Sequence, residues 1–477
     1  MLWGGIRLAQ SGAAVCGTAG CAIGRTLLPW VAALTLFTAA LAVARLLGPV
    51  VASAAEGTWL LDTPINRAKL LRGRLLAVVL VQVAGSALAV SAVMALAGYS
   101  PRQIVLWAAA FGLGGGWLTA AAAVEQTYLR NWAMNTLQWL CGMAAVGMLV
   151  TVTGMGAGWF ATSLSESLWD RLTGGFGIVA AAGLLLCSLW ALARLDHIHR
   201  GRLVSGGSLI ASLQGAAYAL NFALLWDILT ERSAKNIGHV MPRTGRGRGA
   251  WAVVWRDVQR LTRYPRRWGL FSASVGVPYA VNALGFQAFA PTVSAVVLLV
   301  ALVPFLGSLR AMARTASLPR LFPMSEIGVR LSTSAVAAGV GLLWALLATP
   351  SFLCFDDSKL GWAEGFAWSV VTAAAGLLAA IRWVSAPPID YGQPLLQVGF
   401  GAVPPTLTGD VFRGFDFIAF ITIPLVLGWP VGLSLGGAIS CGCSVSGAPE
   451  LLRRKRLERR RAKKERREAQ LIKATLT

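Results

Sequence analysis

Runs of about 20 predominantly apolar residues, separated by short arginine-rich connectors, constrain this chain more than any other feature of it. Each run is long enough to cross the hydrocarbon of a bilayer as a helix, where every backbone N–H and C=O must be satisfied inside the segment. The runs lie near 26–55, 75–97, 104–124, 132–154, 174–193, 268–288, 291–308, 331–349 and 365–383. Residues 2–24 are apolar but rich in glycine and predict only a weak or incomplete span. A last run, 416–445, is interrupted by Gly428-Trp429-Pro430, which predicts a bent helix or a short hairpin. Together they predict an all-α, polytopic transmembrane helix bundle of about 10–12 spans.

Composition agrees, since 56% of the 477 residues are apolar and only 13% are charged, a balance foreign to water-soluble domains. The net charge of +22 raises the question of nucleic acid, so placement matters more than number. The 42 Lys and Arg gather at 67–74, 194–202, 232–267, 310–330 and 453–467, beside or between apolar runs. That is the positive-inside pattern, so the predicted partners are the lipid bilayer and the anionic lipid headgroups of its inner leaflet. No nucleic-acid partner is expected, because no fold motif for one occurs. Connectors assigned to the outside carry Arg25, Arg102, Arg171 and Lys359, leaving 38 of the 42 inside or near the inner face. The expectation is a multi-pass plasma-membrane protein with both termini in the cytoplasm, provided that 416–445 turns back.

The stretch 206–230 is apolar but flanked by Arg200 and Arg202 before it and Arg232 and Lys235 after it. A crossing would put one cluster outside, which predicts an interfacial or re-entrant helix. The chain then divides into a first transmembrane half (1–230), a basic linker with an interfacial helix (231–267), a second transmembrane half (268–447) and a basic tail (448–477). In the tail, residues 453–467 hold eleven Lys or Arg around Glu458 and Glu465, the pattern of a solvated helix along the membrane surface.

Two polar interruptions stand out. In Trp59–Leu75, Thr63 and Pro64 can start a short helix that places Arg67 one turn from Leu71 and Leu70 one turn from Arg74, an amphipathic helix lying across the bundle mouth. A weaker version recurs over Leu318–Leu331, with Pro323 and Arg330, so the chain reads as a degenerate two-half repeat. A merely basic loop obeying the inside rule is the plainer reading of Trp59–Leu75. Ahead of the second half, Trp251, Val254, Trp255, Val258 and Leu261 recur at helical spacing, while Arg256, Asp257, Gln259, Arg260 and Arg263 take the other face. This predicts an interfacial helix with its tryptophans at headgroup depth.

The order of interfacial helix, two spans, a Leu-Asp-Thr-Pro-Ile-Asn-Arg type cytoplasmic helix and further spans resembles the ABC type-2 exporter permeases. More closely, Gly48-Pro49, Trp59–Leu75, Trp251–Pro265 and Pro388-Ile-Asp390-Tyr-Gly resemble a family of uncharacterised actinobacterial membrane proteins of that kind. The resemblance implies a transmembrane subunit that meets a separate, peripheral ATP-binding subunit through cytoplasmic helices and works by alternating access. Pro64, Arg67, Arg72, Arg74, Pro323 and Arg330 would fall at the coupling positions. The first half lacks the amphipathic helix that introduces the second, which implies a shortened chain start or an incomplete first span.

No Gly-x-x-x-x-Gly-Lys-Ser/Thr sequence occurs, so ATP hydrolysis would fall to a partner. The seven cysteines lack zinc-site spacing and read as small apolar residues; Thr18-Ala-Gly-Cys21 only faintly resembles a lipoprotein box. Asp196-His-Ile-His199 offers two imidazoles that helical i, i+2 spacing keeps off one face, without a third ligand. No nucleophile, base and orienting group come together, so no enzyme site, metal or cofactor is expected. Rival readings are an ion-coupled secondary transporter, disfavoured because acidic residues sit at span ends, and a non-transporting membrane scaffold.

Overall fold

The computed structural model describes residues 19–60, 63, 66–96, 98–128, 132–156, 166–218, 228–229, 231, 244–263, 266–283, 286–315, 317–353, 361–386, 396–398, 401–403 and 413–445. Two compact units emerge, Met1–Gly238 with Val275–Ala290, and His239–Ser274 with Pro291–Thr477. The weak span expected over 2–24 and the basic tail lie wholly or largely outside the described residues.

The first unit contains α1 (Ala19–Leu47), α2 (Ala54–Trp59), α3 (Arg67–Leu96), α4 (Pro101–Gln126), α5 (Trp132–Gly156), α6 (Glu166–Ala193) and α7 (Arg200–Tyr218). Of these, α1, α3, α4, α5 and α6 are long and apolar enough to cross a membrane. Local signals set their ends. Gly48 takes φ +81° behind α1, and a Ser100–Gln103 capping box with Pro101 in the first turn starts α4. The middle of the unit is α4, packed against α3 and α6, while α1 pairs with α5.

Small residues permit that closeness, because lipid tails give apolar helices no hydrophobic reason to associate and close packing must do so. A Cβ on Gly114 would stand 2.8 Å from Phe37 and 2.9 Å from Phe176, and one on Gly115 or Gly116 would collide with Ser86 or Val83. Around Gly114, Trp30, Phe37, Trp107, Phe111 and Phe176 stack edge-on and tilted. The outward faces of α3 and α6 stay bare, as a lipid-facing surface requires, with Val81, Leu88, Ile178 and Leu186 exposed.

The second unit comprises α8 (Ala250–Arg263), the first half of α9 (Arg266–Ala283), which straddles the division, α10 (Ala290–Leu302), α11 (Gly307–Arg314), α12 (Glu326–Phe352), α13 (Trp362–Val384), α14 (Phe415–Val426) and α15 (Val431–Val445). A 3-10 turn at Val303–Leu306, with Pro304, joins α10 and α11 into one span-length rod. Leu396–Val398 and Gly401–Val403 pair as short antiparallel strands, β1 and β2, in the proline-rich connector. The centre is α13, against α12, α14 and α15. Hydroxyl pairs cross helix interfaces of this unit, Thr349 of α12 to Ser369 of α13 at 3.0 Å and Thr292 of α10 to Thr422 of α14 at 2.9 Å.

The last apolar run is a hairpin. Helix α14, with 12 residues, and α15, with 15, turn at Gly428, φ +72°. At 1.5 Å per residue they reach about 18 and 22 Å, short of a hydrocarbon core about 30 Å thick. One end is tied to α13, where Arg382 pairs with Asp416 at 2.8 Å, and the other to the start of α12, where Arg330 donates to the Val445 carbonyl at 3.3 Å. Since α13 ends where α12 begins, the hairpin enters and leaves on one side.

Among the described residues, eight helices have full span length and apolarity, and the two hairpin helices are shorter apolar ones; α9, where the sequence predicts a span over 268–288, is not among them, since it opens on Arg266 and Arg267 and carries Pro278 and Asn282. The protein is thus an all-α polytopic membrane bundle.

Candidate coupling surface at the basic ends

In the first unit the antiparallel order of spans gathers Arg45, Arg67, Lys69, Arg72, Arg74, Arg194, Arg200 and Arg202 at one end, and leaves Arg102 and Arg171 at the other. The surface helix expected at 63–74 is displaced. Arg67–Arg74 form the first two turns of the span α3 itself, and the surface helix is α2, ten residues earlier. The reason is local. Ser53 and Glu56 make a capping box that starts a helix at Ala54, whereas Arg67–Arg74 lead without a break into apolar sequence, and Leu71 and Leu75 are fully buried.

Helix α2 is held on three sides. Both guanidinium nitrogens of Arg74 reach the Glu56 carboxylate, one of them at 2.8 Å, and Nη1 also donates to the Val51 carbonyl at 2.9 Å. Gly57 lies flush on Val204 of α7, and the Ala52 N–H donates to the Leu203 carbonyl at 3.1 Å. Glu56 is drawn down from 4.5 to about 2, first by its bond from Arg74 and then by the Ser53 N–H. What α2 leaves uncovered is its tip, with Trp59 78% exposed beside exposed Leu60.

The flanking connectors are equally fixed. The Gln126 amide clamps Val50 in both directions, Nε2 to its carbonyl at 2.8 Å and N–H to Oε1 at 3.2 Å. Asp196 accepts from the Ala68 N–H at 2.9 Å and so caps α3, and Glu125 accepts from Ala133 and Met134 at the start of α5. Among the described residues no three His, Cys, Asp or Glu side chains group as metal ligands. Helix α7, read in the sequence as interfacial or re-entrant over 206–230, begins at Arg200 and runs its glycines Gly206 and Gly207 against the Leu47 and Ala52 carbonyls.

Of the positions singled out for coupling, Pro64 lies outside the described residues. Arg67 is half-buried, Arg72 is exposed, and Arg74 is taken up by Glu56. In the second unit Pro323 is exposed after a 3-10 turn at Leu318–Leu321, and Arg330 is half-buried on Val445.

The interfacial segment is the helix α8, packed on α12. Trp251 is exposed and Trp255 half-buried with Arg246 over its ring at 5.9 Å, while Arg256 and Arg260 are exposed and Arg263 is half-buried. The sequence pattern placed Asp257 on the polar face with these arginines; the structure turns it inward. It is 4% exposed, bonded to the Ser308 hydroxyl of α11, with Arg260 bridging to Ser308 at 2.5 Å. Burial pushes the Asp257 carboxyl up, against the pull of Ser308, Arg260 and Arg267. Nothing in the sequence marks Ser308 as its partner, 51 residues away.

A model of a family of unknown function, DUF6297, matches residues 21–394. The chain belongs to that family. No curated protein and no solved structure matches this DUF6297 chain. The match takes in α2, α8 and the whole span series to the end of α13, and stops before the α14–α15 hairpin.

Proposed function

We propose that this DUF6297 protein is the membrane-embedded, permease-like subunit of an ATP-driven exporter and works with a separate ATP-binding subunit. The observation that carries the reading is α2. A short helix between two spans, clamped to α3 by Glu56–Arg74 and to α7 by Gly57 and Ala52, passes a push on its tip to the spans instead of absorbing it. Trp59 and Leu60 at that tip, with Arg72 close by in sequence on α3, supply an apolar and cationic surface for an ATP-binding partner. In this reading Arg74 is the brace and Arg72 and Trp59 are the contact. Pro323, just before α12, and Arg330, in its first turns, hold the corresponding place.

The test is co-purification of the tagged full chain with an ATP-binding protein encoded beside it, in wild type and in Trp59→Ala and Arg72→Glu. The reading expects an ATPase in the wild-type complex, and at least a tenfold weaker association in the double variant at unchanged expression. Association untouched by both changes removes α2 from the interface. An efflux activity that runs on an ion gradient with ATP depleted overturns the reading altogether.

A further inference from the structure

Arg194 closes the lipid-facing helix α6 at the basic end of the first unit, and its setting is unlike that of its neighbours. Its guanidinium lies 5.4 Å from the Tyr128 ring centre and 5.8 Å from that of Trp190, and Nη1 donates to the Tyr128 hydroxyl at 2.9 Å. It has no carboxylate partner among the described residues, whereas Arg74 has Glu56. The nearby acids are spent on backbone N–H groups, Glu125 at α5 and Asp196 at α3. Two Arg202 bonds, to the Gln126 and Tyr128 carbonyls at 3.3 and 2.7 Å, hold the Tyr128 segment in place.

Directly along the same helix runs an apolar track. Val179, Leu186 and Trp190 are 56%, 65% and 49% exposed, and they follow one another at helical spacings that end on Arg194. From Val179 to Trp190 the rise is about 16 Å, the depth of one leaflet of hydrocarbon. A guanidinium that forms no ion pair among the described residues thus lies against two rings at the head of a leaflet-long apolar strip. The Tyr128 hydroxyl, accepting from Arg194, still has its own proton to donate.

We infer that Arg194, Tyr128 and Trp190 form a headgroup site for an anionic glycerophospholipid, whose phosphate meets the guanidinium and the Tyr128 hydroxyl while an acyl chain lies along Val179 and Leu186. Cation–π contact holds the guanidinium planar and aimed, and its remaining N–H groups suit phosphate oxygens. The inference does not depend on the exporter reading.

The full chain, purified in detergent, is mixed with phosphatidylglycerol or with phosphatidylcholine of the same acyl chains, and bound lipid is counted by native mass spectrometry. The wild type is expected to retain phosphatidylglycerol about fivefold over phosphatidylcholine, the preference one interfacial arginine supplies. Arg194→Gln is expected to lose most of that preference, and Arg171→Gln, at the opposite end, to keep it. Unfolding temperatures without added lipid identify any variant that fails to fold, and Trp190→Leu, which keeps the apolar track, then carries the test, with a reduced preference expected. Equal retention of the two lipids by the wild type, an Arg194→Gln variant that keeps the preference, or an equal loss in Arg171→Gln overturns the site. Displacement of the lipid by millimolar inorganic phosphate alone overturns it as well, since the track on α6 would then contribute nothing.

Discussion

Glu56 and Arg74 are each about one-third exposed, at 27% and 34% of the side chain, so their pairing belongs with surface ion pairs despite its two-point geometry. Glu56→Gln should therefore cost about 1 kcal/mol, mostly as loss of a charge-assisted bond and of half the capping box. The folded carboxyl is depressed to about 2 from 4.5, so its contribution is complete above the unfolded value and disappears as pH falls through the folded one. Thermal unfolding in detergent should show wild type ahead of Glu56→Gln above pH about 4.5 and level with it near pH 2. A gap that persists at low pH would assign the effect to packing. At Gly48, φ is +81° and a Cβ would meet the Gln126 amide at 2.8 Å, so Gly48→Ala should cost about 2 kcal/mol by the same assay, strain and a loosened Val50 clamp together. The Ser53-Ala-Ala-Glu56 box that starts α2 is passed over in the sequence, where the apolar run 26–55 reads as one span through Ser53. Its partner Arg74 is no more legible, because basic residues at 67–74 read equally well as a surface helix and as the wet first turns of a span.

At the scale of elements, apolar periodicity and charge located the eight span-length helices, because a bilayer leaves a helix few alternatives, but they also read a span over 268–288 and ran the first one past Leu47. The hairpin was legible as one of two options, with Gly428 and Pro430 marking the break. What hydropathy could not show was which residue of α8 faces its neighbour, since a lone aspartate among arginines looks solvated. Burial of Asp257 on Ser308 makes α8 a fixed part of the second unit rather than a loosely adsorbed helix. Ser308→Ala should leave the carboxyl, already pushed up by burial, short of a donor, at a cost of about 1–2 kcal/mol. Hydrogen exchange should then quicken over 250–263 before it does over α12. Unchanged protection of α8 would mean that apolar contacts alone hold it.

For the molecule as a whole the decisive quantity is which end of each unit carries the charge. The alternation of α1, α3, α4, α5 and α6 puts Arg67, Lys69 and Arg72 at one end and Arg102 and Arg171 at the other, and the positive-inside rule predicts that the first end faces the cytoplasm. In the second unit α12 starts at the end where Arg382, Asp416 and Val445 meet, so a hairpin that enters and leaves there returns the chain to the side it came from. An odd number of crossings after α13 would instead bring the basic tail out, against a charge bias of eleven Lys and Arg over 453–467. Single cysteines in a cysteine-free background decide between these. Lys69→Cys, Ser325→Cys and Cys443 restored alone should resist an impermeant maleimide applied to intact cells and react after permeabilisation, whereas Arg102→Cys and Gly361→Cys should react at once. Labelling of Cys443 from outside would turn the hairpin into a crossing and place the tail on the outer face.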